Sequence, residues 1–353
     1  MVDRIKAAVL GATGLVGQRF VSLLAHHPWF ELVAITASSE RAGKQYGREV
    51  RWVLETPMPS SVADMTISTT SPDSVREAEV VFVALPKEAA VEVEPELARH
   101  GKIVVSNASN HRLDPDIPLL DPEVNWDHVR LVEEQRRKRG WRGAILKVPN
   151  CSTAILTLSL KPILDEFGIQ DIHVTTMQAI SGAGLQGVPG YMIVDNIIPF
   201  IKSEEEKIVN ESRKILERLE NNTIKPLDVN IYATATRVPV PDGHLESVHL
   251  VLGREPASLE EVIRVLESWR PGLQELGLPM APDKPIVVRF ETDRPQPRLD
   301  RLNGGGMSVT IGRVRLRNKI LQYLVLGHNT IRGAAGTGIL IAELYYKLYG
   351  LVS

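Results

Sequence analysis

The N-terminal sequence combines a strand, a glycine-punctuated turn and a helix, which leaves few architectures open. Residues 5–10 read IKAAVL, an apolar run of strand length. GATGLVG follows at once and places Gly11, Gly14 and Gly17 at three-residue intervals ahead of the amphipathic stretch QRFVSLLAHHP. Glycine allows a tight turn and a close backbone approach to a pyrophosphate, which rests on the N-terminus of the following helix. Directly after a first strand, the pattern predicts a dinucleotide-binding loop; the alternative is a tight structural turn. Gly11, Thr13, Gly14, Leu15 and Val16 are the candidate cofactor contacts.

Further strands are expected at 31–38, 79–85 and 102–107, with a helix in KEAAVEVEPELARHG between the last two. Strands alternating with helices imply βαβ units and a parallel sheet. Residues 1–150 are therefore read as a Rossmann-type, doubly wound domain. After Cys151 the pattern changes. A helix is expected over 152–167, starting at Ser152 or Thr153 and broken or kinked at Pro162. A strand is expected at 171–180, and a charged helix at 203–220 with a capping box from Ser203 to Glu206. Further strands are expected at 229–240, 245–252, 285–292 and 307–315. Residues 151–329 then form an α+β domain on a mixed or antiparallel sheet. A helix in 330–353 is expected to pack back on the first domain.

The rest of the composition narrows the function classes. The chain has 353 residues, enough for two domains, and a net charge of −2, which gives no case for nucleic-acid or membrane partners. No apolar run approaches the roughly 18 residues of a membrane span. The first residues pass straight from charge into a strand without a signal-peptide pattern, so a cytoplasmic location is expected. One cysteine excludes an internal disulfide and a CxxC site, and no metal site is expected.

The end of the second strand bears on cofactor choice. NAD enzymes usually carry an acid there for the ribose diol. Here the strand runs into Ser38 and Ser39, with Arg41 and Lys44 close behind and Glu40 as a counter-signal. Hydroxyls and basic groups suit a 2′-phosphate, so NADP(H) is expected.

Cys151 stands in KVPNCST, where a strand-like run ends at Pro149 and a helix begins. A lone cysteine is ordinarily a small core residue. At a helix N-terminus, however, the dipole favours the thiolate, and backbone N–H groups there could hold an oxyanion. Nine histidines are available as its partner. His26 and His27 end the first helix and read as caps or solvent-facing groups. His100 and His111 lie in the first domain, and His128 lies in a charged surface stretch. His173 and His249 read as core residues within strands, and His328 neighbours a glycine-rich loop. His244 differs: it stands in RVPVPDGHL, a proline- and glycine-punctuated loop of the kind that carries active-site groups. A near-neutral pKa would suit it to proton transfer.

GATGLVGQ, PNCST, MQAISGAG, EEEK, RVPVPDGH and HNTIRGAAG occur in that order and span nearly the whole chain. Together they resemble the aspartate-β-semialdehyde dehydrogenase family, in its archaeal and fungal branch. The resemblance implies NADPH-dependent reductive dephosphorylation of L-aspartyl 4-phosphate to L-aspartate 4-semialdehyde, a step of lysine, threonine and methionine biosynthesis. It further implies a thioester on Cys151, with His244 as acid/base, Gln178 orienting the acyl group and Asn150 in the substrate pocket. Arg237 matches the family's carboxylate-binding arginine and Glu204 the partner of the substrate ammonium. Lys207 and Arg112 match the phosphate-binding cations. Ser181, Gly182 and Asn329 match the contacts near the nicotinamide. Without the resemblance, the EEEK run reads as a solvated charged face, and Glu204, Glu205 and Glu206 leave its register open. A homodimer or homotetramer through the second domain is also implied. The rival readings are malonyl-CoA reductase and N-acetyl-glutamyl-phosphate reductase, which share the cysteine chemistry, and a non-catalytic NADP-binding redox sensor.

Overall fold

The computed structural model describes residues 4–220, 223–225 and 227–350. They form two compact units. Of the described residues, the first comprises those within 4–120, 127–148 and 334–350; the second comprises those within 121–126 and 149–333. A division at residue 150 lacks the short detour at 121–126.

The first unit holds a six-stranded parallel sheet of β1 (Ile5–Leu10), β2 (Phe30–Ala37), β3 (Ser68–Thr69), β4 (Val80–Val83), β5 (Ile103–Ser106) and β6 (Ala144–Lys147), in the order β3-β2-β1-β4-β5-β6. β4, β5 and β6 are buried throughout, the pattern of strands covered on both faces. The strand order reverses between β1 and β4, the place where doubly wound sheets open a ligand crevice. The helices of eight or more described residues here are α1 (Leu15–Leu24), α2 (Lys87–Arg99), α3 (Leu131–Arg139) and the C-terminal helix.

The second unit begins with α4 (Cys151–Phe167) and β7 (Ile169–Gln178), followed by α5 (Glu204–Leu216). Two short strands, β8 (Arg218–Glu220) and β9 (Thr223–Lys225), pair antiparallel next. β10 (Asn230–Arg237), β11 (His244–Leu252), α6 (Leu259–Ser268), β12 (Ile286–Arg289), β13 (Val309–Arg317) and β14 (Ile320–Gly327) complete it. The chain then returns to the first unit as α7 (Gly336–Leu348), which packs there on α1 and β5. The large sheet runs β10-β7-β11-β14-β13-β12. It is mixed: β10 and β7 are parallel, as are β12 and β13, and the other neighbours are antiparallel. The fold class is thus a Rossmann-type domain plus an α+β domain on a mixed sheet. Burial alternates along β7 and β11, so Thr176, Gln178, His244 and Glu246 share the inner face with Val174 and Val248. α4 lies against this sheet.

Several expectations are corrected. α4 runs unbroken through Pro162, because Leu158, Leu160, Pro162 and Ile163 are all buried and packing outweighs one missing backbone bond. Ser203 makes no side-chain cap: its backbone is left-handed (φ 57°), which turns the hydroxyl away from the box geometry. The charged helix also ends at Leu216, and residues 218–220 are strand. His27 is buried, not solvent-facing. Its Nε2 pairs with Glu343 Oε1 at 2.7 Å, while Nδ1 accepts from the backbone N–H groups of Trp29 and Phe30. His128 is also buried. His173 and His249 sit opposite each other on the exposed outer face of the second sheet, because they fall on the out-facing positions of β7 and β11. β14 and α6 were not anticipated.

Candidate active site

In the first unit, β1 ends where the glycine loop begins. Gly11 has φ +78°, and a Cβ on it would stand 2.5 Å from Ala84 O. A Cβ on Gly17 would stand 2.1 Å from Gly11 O, so only glycine lets α1 pack on the loop. Gly14 caps α1, and a Cβ there would meet only Gly11 O at 3.5 Å. Thr13, Leu15 and Val16 surround this helix start, whose first turn carries no acid. Such a cradle fits a pyrophosphate by its backbone N–H groups and helix dipole. Ser38 and Ser39 are exposed immediately after β2, with no acid at the strand end. Behind them Lys44 and Arg41 share Glu49, at 3.2 and 3.9 Å. Arg112 lies in the loop after β5, where its Nη2 donates to Asn107 O at 2.6 Å.

In the second unit, Asn150 caps α4. Its Oδ1 accepts from the N–H groups of Ser152 (3.0 Å) and Thr153 (3.2 Å). These two donors are therefore spent on the cap and are not available to an oxyanion. The Asn150 Nδ2 donates to Glu204 Oε1 at 2.8 Å, and its backbone N–H to Glu211 Oε2 at 2.6 Å. Asn150 thus ties the start of α4 to α5.

Glu204 is the one of the three glutamates turned inward. Its Oε1 also accepts from Gln178 Nε2 at 3.1 Å, and Lys207 Nζ lies 3.5 Å from Oε2. Glu205 instead accepts from the Ala235 N–H of β10, and Glu206 is exposed. Helical spacing puts Glu204 and Lys207 on one face, and from the first turn of α5 Glu204 reaches Gln178 at the end of β7.

Cys151 Sγ stands 3.2 Å from His244 Nε2. The other ring nitrogen, Nδ1, accepts the backbone N–H of Ala179 at 3.0 Å. An amide N–H can only donate, so Nδ1 carries a lone pair and the proton of the neutral ring is on Nε2, facing sulfur. An imidazolium would set two donors against each other at Nδ1. The electrostatics agree: burial, then the charge of Arg237, then His328 hold the His244 pKa well below the usual 6.5. The near-neutral histidine expected from the sequence is therefore corrected to a neutral Nε2–H donor. The signal missed is Ala179, whose contribution is a backbone amide.

Arg237, at the end of β10, donates through Nη1 to Ala179 O at 2.7 Å. One short segment thus orients both His244 and Arg237. Burial lowers the Arg237 pKa, and the negative fields of Cys151 and Glu204 oppose that shift. A Cβ on Gly182 would fall 2.6 Å from Arg237 Nη1 and 3.3 Å from His244 Nε2, so a side chain there would fill the space over the pair. Ser181 Oγ accepts from Asn329 Nδ2, and Asn329 Oδ1 accepts from the Gly243 N–H, both at 2.8 Å. Asn329 thus braces the His244 and Ser181 loops against each other. Among the described residues, no group of three or more His, Cys, Asp or Glu is placed to hold a metal.

Residues 6–132 match the family described as semialdehyde dehydrogenase, NAD binding domain, and residues 160–332 match its dimerisation domain. An aspartate-semialdehyde dehydrogenase of Archaeoglobus fulgidus is 49% identical over 98% of both chains. The chain belongs to the aspartate-semialdehyde dehydrogenase family. Its members are oxidoreductases, and the two domains seen here are the family's two domains. Among solved structures, that of Candida albicans aspartate semialdehyde dehydrogenase with NADP superposes with a TM-score of 0.89, at 41% identity over 99% of this chain and 100% of that one. A malonyl CoA reductase (NADP) of Metallosphaera sedula is 39% identical over 96% of both chains.

Proposed function

We propose that the chain carries out NADPH-dependent reductive dephosphorylation of L-aspartyl 4-phosphate to L-aspartate 4-semialdehyde, through a thioester on Cys151. The observation that carries this reading is the 3.2 Å Sγ–Nε2 pair at the capped start of α4, with Glu204, Gln178 and Arg237 around the same strand ends. The Cys151 thiolate attacks the acyl carbon, the C–S bond forms, and the C–O bond to phosphate breaks. His244 Nε2–H donates to the carbonyl oxygen as charge develops on it, acting as a neutral electrophile. Gly11, Thr13, Gly14, Leu15, Val16, Ser38 and Ser39 would hold NADP(H), which would supply the hydride when bound, and Ser181 and Gly182 match the family's contacts near the nicotinamide. The thiohemiacetal oxyanion then expels the Cys151 thiolate and leaves the aldehyde.

Arg237 pairs with the substrate α-carboxylate through its planar fork. Glu204 faces the ammonium, and Lys207 and Arg112 take the phosphate. The buried Glu204 carboxylate favours an amino-acid substrate over malonyl-CoA, which has no ammonium for it. We infer a cytoplasmic homodimer or homotetramer that uses the second unit. Among the described residues no helix is long and apolar enough to cross a membrane. The test is phosphate- or arsenate-dependent NADPH formation from aspartate semialdehyde and NADP. Turnover on malonyl-CoA in place of the semialdehyde would overturn the reading.

A further inference from the structure

The Cys151 backbone is confined from a side that neither its cap nor His244 explains. A Cβ on Gly333 would stand 2.6 Å from Cys151 Cβ and 2.9 Å from its Cα, so the bare Gly333 backbone lies against the nucleophile. Gly333 belongs to a single π-helical turn, Ile331–Ala335, an irregularity frequent at functional sites.

The preceding residue, Arg332, is fully buried and bound on every side. Its Nη2 reaches Glu123 Oε1 at 2.5 Å, and Nη1 reaches Glu123 Oε2 at 2.8 Å and Asp121 Oδ1 at 3.5 Å. Its Nε donates to Met307 O at 2.6 Å. The other Asp121 oxygen accepts from Thr157 Oγ1 at 2.8 Å, and Thr157 is on α4, the helix that begins at Cys151. The contacts therefore close a ring: Cys151, α4, Thr157, Asp121, Arg332, Gly333 and back to Cys151.

We propose that Arg332 is a positioning residue for Cys151, holding Gly333 against the nucleophile through a ring closed by Asp121 and Thr157. Stability does not account for this cluster. A buried ion pair is weak evidence for stabilisation, and here one arginine faces two buried carboxylates. What the planar, bidentate fork supplies is fixed geometry. It also explains why residues 121–126 leave the first unit to join the second.

The proposal rests on Cys151 being the nucleophile. It is tested with Thr157→Val, Arg332→Lys and Gly333→Ala in the full chain, by kcat, by KM and by the rate at which iodoacetamide alkylates Cys151 across pH. A displacement of about 1 Å costs on the order of 10²-fold in rate. Gly333→Ala is expected to lose about that much, and each ring variant about tenfold or more in kcat. The KM for aspartate semialdehyde should stay within about twofold, and alkylation should slow in step. The double variant T157V/R332K should be no worse than the poorer single one, since one break opens the ring.

Variants that melt earlier yet alkylate and turn over at wild-type rates would overturn the proposal. If Arg332→Lys fails to fold, Thr157→Val decides, because it removes only one hydroxyl. A wild type inactive on aspartate semialdehyde would sink the proposed reaction, while the alkylation series would still judge the ring.

Discussion

At the scale of single residues, the Cys151–His244 pair decides what chemistry is possible. Because Ala179 donates to Nδ1, His244 meets sulfur with a proton and not with a lone pair. Its pKa is held well below 6.5, so the ring stays neutral through the range where a free histidine titrates. The expected kcat/KM profile therefore has no acid limb near 6.5 that disappears in His244→Asn; such a limb would show that the ring titrates there. Loss of one oxyanion donor costs about 10²–10³ in kcat, so His244→Asn should fall by that amount. Cys151→Ser should abolish phosphate-dependent turnover, since the hydroxyl cannot form the thioester at a useful rate. Wild-type activity in the serine variant would rule out the covalent route. The cysteine and histidine were legible because both stand in motifs with distinctive chemistry. The tautomer was not, because a backbone amide leaves no mark in a sequence.

At the scale of elements, the start of α4 shows how a cap can also be part of the site. Asn150 satisfies two first-turn N–H groups with Oδ1 and spends Nδ2 on Glu204. Asn150→Ala should destabilise the chain by about 0.5–2 kcal/mol, the usual worth of such a cap, read as a lower denaturant midpoint. It should also raise the KM for the amino-acid substrate, because Glu204 loses one of its three side-chain partners; an unchanged KM would reduce Asn150 to a cap. Strand-loop-helix signals such as residues 5–24 were legible because the spacing of apolar residues and glycines is itself the physical cause of the turn. The capping box at Ser203 misled because backbone conformation, not residue type, aims the hydroxyl. Pro162 misled because burial on all sides of α4 outweighs local propensity. The register of EEEK is set by the packing of α5 on α4 and β10, a long-range contact that local residue types do not encode.

At the scale of the whole molecule, two features invite measurement. Leu185, Tyr191, Met192, Val194, Ile197 and Phe200 are all exposed in one segment of the second unit, which bridges to the edge strand β10 at Ile198. That much apolar surface suits burial against a second copy, within the part matching the family's dimerisation domain. Tyr191→Glu with Phe200→Glu should lower the mass seen by light scattering, and an unchanged mass would place the interface elsewhere. The second feature is the pH dependence of stability. Burial, with Glu123 adding to it, pushes Asp121 up from 3.8 to about 7 despite Arg332. A carboxyl whose folded value lies above its unfolded one binds more protons in the native state between the two. Its contribution is complete below 3.8 and is lost as pH rises through about 7. Glu246, raised well above 4.5 by burial and by Glu204, adds a term of the same sign. Asp116, lowered mainly by its hydrogen bond to Arg139, acts oppositely: its contribution is lost as pH falls below 3.8, outside this window. Urea midpoints of the wild type should therefore carry a downward component between about pH 4 and 7. Asp121→Asn keeps an acceptor for Thr157 but cannot ionise, so its profile over that window should be flatter. Equal slopes in the two proteins would mean that Asp121 is ionised throughout, with Arg332 outweighing its burial.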